Sequence, residues 1–111
     1  MADKSFCLEG TVGKNSSENA SEEVIPSGEK WKITRIGGDA QYSDDHKHCK
    51  LILKFDTKLY RKFNVGGRTH SEPLDIEVTG DGTKKLIVRL KNNSPTNDIK
   101  YTVWLDAKSR G

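Results

Sequence analysis

Cysteine is scarce in this chain: Cys7 and Cys49 are the only two among 111 residues. Two thiols do not make a disulfide scaffold. No apolar run follows Met1-Ala2-Asp3-Lys4, as a secretion signal would require. The expectation is therefore a chain made in the cytoplasm with both thiols reduced. No stretch approaches the roughly 18 apolar residues needed to cross a bilayer, which sets a membrane partner aside. Helical periodicity is almost missing, and there is no internal repeat. Catalytic motifs are missing as well. There is no Gly-x-Ser-x-Gly elbow, and Gly37-Gly38 and Gly66-Gly67 are too short for a phosphate cradle. Cys49 follows His48 directly, but strand neighbours point to opposite faces, so they form no dyad by default. The reading is a protein that is not an enzyme and has no resident cofactor.

What is present is charge and alternation. Lys and Arg number 19 and Asp and Glu 16, a formal net of +3. Residues 1–45 carry five basic and nine acidic groups, a net of −4, and residues 46–111 carry fourteen and seven, a net of +7. The acidic half could face the basic half within one molecule or across a subunit contact.

Leu74, Ile76 and Val78 alternate with Asp75, Glu77 and Thr79. A period of two sends the first set to a core and the second to water. The same pattern runs through Leu51/Leu53/Phe55, Leu59/Phe63/Val65, Leu86/Val88/Leu90 and Ile99/Tyr101/Val103/Leu105. Trp31, Ile33 and Ile36 form another strand with a bulge near Arg35, and Ser5–Leu8 a short first one. Pro26-Ser27-Gly28, Gly37-Gly38-Asp39, Asp56-Thr57-Lys58, Gly66-Gly67, Gly80-Asp81-Gly82 and Asn92-Asn93-Ser94-Pro95 separate them. Asp-Gly in the fifth of these reads as a hairpin signal. Residues 9–29 read as a mobile polar loop, because Asn, Ser and Gly crowd the stretch around Ser16–Val24.

These strands predict one all-β domain over residues 1–111: an antiparallel β-sandwich, jelly-roll-like, of about seven to eight strands. The long connections at 9–29 and 37–49 suit crossings between sheets. An immunoglobulin-like sandwich is the alternative, though Cys7 and Cys49 lack the cysteine–tryptophan–cysteine arrangement.

Four residues on four strands fall on the polar parity: Tyr60, Trp104, Ile52 and Ile87. They predict one outer face that is covered, by a second subunit or within the chain, or an aromatic surface on which a sugar stacks. Asp39, Gln41 and Tyr42 are loop residues that would join such a ligand site. Lys50, Lys54, Lys58, Lys62, Lys85, Arg89, Lys91 and Lys100 share that parity. Nucleic acid is not the expected partner, because aromatics do not interleave the basic residues. Cys7 lies between Phe6 and Leu8 and reads as a small buried residue. In Asp44-Asp45-His46-Lys47-His48-Cys49, His46 and His48 would point to one side of an extended chain. A closed zinc site from one chain would need two separated ligand pairs. In a trimer, one such histidine pair from each subunit would give an octahedral site for a divalent transition metal; an ordinary exposed loop is the alternative.

Two segments carry a resemblance. Ile25-Pro26-Ser27-Gly28-Glu29-Lys30-Trp31-Lys32-Ile33-Thr34 resembles the strand entry of small all-β virion proteins of tailed phages. Gly80-Asp81-Gly82-Thr83-Lys84-Lys85-Leu86-Ile87-Val88-Arg89-Leu90-Lys91-Asn92-Asn93-Ser94 is similar to their penultimate hairpin. The resemblance implies a head-decoration, tail or fibre-knob domain, self-associated as a homotrimer and binding protein or a host-surface glycan. His-x-His pairs like His46/His48 hold metal in some trimeric phage fibre tips. No catalytic motif carries over.

Overall fold

The computed structural model describes residues 2–40, 48–65 and 69–110. Nine strands fill these residues and no helix occurs among them: β1 (Ala2–Asp3), β2 (Phe6–Val12), β3 (Ser16–Val24), β4 (Lys30–Ala40), β5 (Cys49–Phe55), β6 (Lys58–Asn64), β7 (Thr69–Thr79), β8 (Lys85–Asn92) and β9 (Ile99–Arg110). Two antiparallel sheets form. Sheet A runs β7–β4–β9, with β1 and β2 end to end along the far edge of β9. Sheet B runs β3–β8–β5–β6. The pairing is nested: β5 with β6, β4 with β7, β3 with β8, β2 with β9. Pairs β4–β9 and β5–β8 then join the nested pairs sideways into two sheets.

The core lies between the sheets and follows the expected alternation. Leu51, Leu53, Val88 and Leu90 of sheet B meet Ile33, Ile36, Val103 and Leu105 of sheet A in one buried cluster. Burial of such side chains contributes about 1.5–3 kcal/mol each, which offsets much of the entropy lost in ordering these strands. Leu74 and Ile76 pack on the margin of this cluster, on the parity the sequence assigned.

Several elements differ from the sequence reading. The segment 9–29 is not a polar loop, because β2 continues to Val12 and β3 occupies Ser16–Val24. β3 lies at the margin of sheet B and is polar on both faces, so it shows no period of two. Its order comes from the ladder to β8, which a pattern of side chains cannot reveal. Gly37-Gly38-Asp39 does not end a strand; β4 runs through it to Ala40. Gly80-Asp81-Gly82 is not a hairpin turn, since β7 and β8 belong to different sheets. It is an arch that packs on the Pro26-Ser27-Gly28 crossing. Gly28 N–H donates to the Gly80 carbonyl at 3.1 Å, and Gly82 N–H to that of Ile25 at 3.0 Å. A Cβ on Gly80 would stand 2.3 Å from the Pro26 carbonyl oxygen, so the two crossings approach as closely as glycine allows. Asp56-Thr57 does form the short β5–β6 hairpin, with Asp56 at φ 56°.

Cys7 is exposed, not buried. β2 turns Phe6, Leu8, Gly10 and Val12 inward against Leu105, Val103, Tyr101 and Ile99, so Cys7 opposes Trp104 on the outer face. Tyr60 also changes side. Leu53 pairs with Arg61 and Lys54 with Leu59, which leaves Tyr60 as the extra residue of a β-bulge. The bulge sends Tyr60 to the core margin and leaves Leu59 outside at 54% exposure. A slip of one residue inverts every side chain beyond it.

Candidate functional site

Two outer faces carry the residues singled out above. On sheet B the outward side chains stand in three rows across the strands. The first is Ser17, Lys91, Lys50, Asn64; the second Asn19, Arg89, Ile52, Lys62; the third Glu22, Ile87, Lys54, Leu59. Lys85 and Val24 begin a fourth. Ile52 and Ile87 are therefore diagonal neighbours in the middle of a field of six basic groups, as their parity implied. Of the eight basic residues placed on one parity, Lys100 belongs to the other sheet and Lys58 turns over the Tyr60 ring at 4.9 Å.

The electrostatics of this face are one-sided. Among the described residues its only carboxylate is Glu22. The Asn19 amide and then Lys85 hold that carboxyl below its ordinary range. The Lys85–Glu22 ion pair spans 3.5 Å. Arg89 Nε donates to Asn19 Oδ1 at 2.7 Å and Lys50 Nζ to Asn64 Oδ1 at 3.2 Å, both neutral acceptors. Lys54, Lys62 and Lys91 meet no carboxylate among the described residues. Lys50 stands directly opposite Lys91. Like charges in that position destabilise a sheet by a few tenths of a kcal/mol, so the fold gains nothing from the arrangement.

Sheet A is balanced by contrast. Lys32 pairs with Asp75 at 3.4 Å and Arg110 with Glu77 at 2.6 Å. Arg35 Nη1 donates to Ser71 Oγ at 3.0 Å. In the middle of this face the Trp104 indole lies over Gly37: a Cβ there would meet Nε1, Cε2 and Cζ2 at 2.3–2.5 Å. Asp39 pairs with Thr102 in the adjacent row. Beside them a hollow of about 300 Å³ is lined by Glu9, Gly10, Thr11, Lys100, Tyr101 and Thr102. Trp104 and Asp39 thus share one face, with Cys7 next to the indole. Gln41, Tyr42 and His46 lie outside the described residues.

The four residues expected on one outer face are therefore divided. Ile52 and Ile87 are together on sheet B, Trp104 is on the opposite side of the molecule, and Tyr60 has turned inward. His48 is half-buried and its carbonyl accepts the Asn93 N–H at 2.8 Å. Cys49 points into the core, where burial pushes its thiol up to about 11. Such a thiol is a poor nucleophile and no partner for an imidazole. Among the described residues no three His, Cys, Asp or Glu side chains gather as a metal site.

One further side chain is structurally central. Asn92 is fully buried at the junction of β2, β8 and the turn before β9. Its amide donates to the carbonyls of Val12 (3.3 Å), Gly13 (3.2 Å) and Asn97 (2.8 Å), and its oxygen accepts the Ser94 N–H (2.9 Å). Its even spacing after Leu86, Val88 and Leu90 is the signal that marks it as inward-facing.

No known protein family, curated protein or solved structure matches the chain.

Proposed function

We propose that this chain is a jelly-roll sandwich that works by association: a non-enzymatic, oligomeric virion or surface-assembly subunit, trimeric as the resemblance implies. The nested pairs support the topology, because a long eight-strand hairpin rolled into two sheets has that order. The observation that carries the association is the outer face of sheet B. Ile52 and Ile87 sit half-exposed inside a rim of cations, and an apolar centre within a polar rim is how protein interfaces are built.

The charge on this face limits how it is used. Stacking it on its own copy would bring like charges together, at several kcal/mol. Its partner surface is acidic, and Ile52 and Ile87 act as the dry centre of a contact with that surface.

Sedimentation equilibrium over a range of protein concentration, with and without chelator, is the test. A trimer supports the reading, and its loss on chelation makes a divalent metal at His46 and His48 the next thing to test, by metal analysis of the protein. A monomer at high concentration and low ionic strength refutes it.

A second reading has its own observation. The Trp104 indole resting on Gly37, with Asp39 and the neighbouring hollow, offers a flat ring and polar groups to a host-surface glycan. A monomer whose glycan binding is lost in Trp104→Ala would establish a carbohydrate-binding module instead. In either case synthesis in the cytoplasm and incorporation in a particle belong to the proposal.

A further inference from the structure

We infer that the acidic surface which meets the cationic face of sheet B is the β2–β3 side of a second copy of this chain, joined head to tail. The inference rests on the association reading above and names its contact.

The exposed large hydrophobic residues among those described are Leu8 at 36%, Val24 at 45% and Leu59 at 54%. They fall on two surfaces. Leu59 lies on the cationic face, in the row of Ile87 and Lys54. Leu8 lies where the outermost strands β2 and β3 meet, on the opposite flank of the sandwich from β6, and Val24 stands at the end of β3 where that flank borders the cationic face. That flank is acidic. Glu18 and Glu23 of β3 are exposed there, and burial together with the nearby Glu18 carboxylate raises the Tyr101 phenol. A hollow of about 330 Å³ opens beside Glu23, lined by Lys4, Phe6, Val24, Pro26 and Trp31 among others, with the Lys4 ammonium over the Trp31 ring at 5.4 Å and Glu18 and Glu23 leaving the flank net negative. One surface is thus apolar and basic, the other apolar and acidic, and both are on the same chain.

Other ways of joining two copies are weaker. Strand addition at β3 meets a bulge at Ala20 and two carboxylates, Glu18 and Glu23, set on the inward parity. Addition at β6 meets the Tyr60 bulge, and Arg61 is already drawn across to Glu72 at 2.9 Å. Bulges and inward charges are devices that block edge pairing. The outer face of sheet A balances its own charges and offers no acidic surplus. Polyanions fit the face less well, because no aromatic side chain stands in its rows for a base or a sugar to stack on. Two different patches on each copy make the contact heterologous, so it closes into a ring or extends as an array.

Charge exchange tests this. One variant carries Lys54→Glu with Lys62→Glu; the other carries Glu18→Lys with Glu23→Lys. Wild type should associate at low ionic strength and weaken as salt is added. Each variant alone should associate at least about tenfold more weakly. An equimolar mixture should recover association, because each mutated surface then meets an opposite charge. Recovery also shows that both variants are folded. Variants that associate as tightly as wild type would overturn the contact and leave the association reading standing. A monomeric wild type would overturn both. Wild-type association that vanishes after nuclease treatment would overturn the contact by giving the face to nucleic acid.

Discussion

Gly37 and Trp104 are directly opposed in β4 and β9, and the structure makes a signed prediction for them. A methyl group on Gly37 would lie 2.3 Å from two indole atoms, well inside van der Waals contact. The backbone has no objection to alanine, because Gly37 is not among the positive-φ residues. The whole cost is therefore the displacement of one ring. Overpacking of this kind costs about 1–3 kcal/mol. In a Trp104→Ala background the three atoms nearest to that methyl are gone. There Gly37→Ala should stabilise by about 0.5–1 kcal/mol, the ordinary penalty of glycine in a strand. The same substitution thus changes sign with its neighbour. The two effects differ by about 1.5–4 kcal/mol, a coupling at the upper end for residues in contact. Urea unfolding of the four proteins, followed by far-UV circular dichroism, measures it. Trp31 is 4% exposed and gives a fluorescence signal in both backgrounds. An equal effect of Gly37→Ala in both backgrounds would refute the placement of the indole, and with it the glycan platform of the second reading.

Four further outcomes are expected. Iodoacetamide should label Cys7 in the native protein and reach Cys49 only on unfolding, read by mass spectrometry. Burial raises the Cys49 thiol from 9.0 to about 11, so its contribution is present below pH 9 and lost as pH rises to 11. About 2–3 kcal/mol should go over that window, with the raised Tyr101 phenol acting in the same direction, and Cys49→Ala should flatten the loss. Asn92→Ala should cost about 3 kcal/mol in chemical unfolding, because it strands three carbonyls and one N–H in the interior. In acid, Asp81 should matter most among the turns. Its carboxylate accepts the N–H groups of Lys84 and Thr83 and the Thr83 hydroxyl, which holds it at about 2 against an ordinary 3.8. That contribution is present above pH 4 and lost as pH falls toward 2, and Asp81→Asn should remove the dependence.

The cationic face shows how far side-chain period can lead. Lys50, Ile52 and Lys54 on β5, and Lys85, Ile87, Arg89 and Lys91 on β8, were assigned to one parity by alternation alone, and the ladder sets them side by side. Both strands are buried on one side and wet on the other, the case in which a period of two is unambiguous. Lys62 kept its side, but Leu59 and Tyr60 exchanged theirs, because a bulge is one extra residue in a strand whose pattern continues on either side of it. Nothing in the order of side chains distinguishes such a residue from its neighbours. Trp104 and Ile52 share a parity in sequence yet occupy opposite sides of the molecule, since parity says in or out and not which sheet.

By itself the sequence determined the strand class, the positions of most strands, the inward and outward sets, and the basic bias of the second half. These are local or additive properties, decided by each side chain's preference for water and the pleat. Long-range pairing is what makes polar β3 a strand, turns Gly80-Asp81-Gly82 into an arch between sheets, and lays Trp104 over Gly37. It also sets Lys54, Lys62 and Lys91 on one face while the exposed Leu8 and the carboxylates of Glu18 and Glu23 lie on another flank. Those facts depend on pairing between residues distant in the chain, where backbone hydrogen bonds carry no side-chain signature and one bulge reverses everything beyond it.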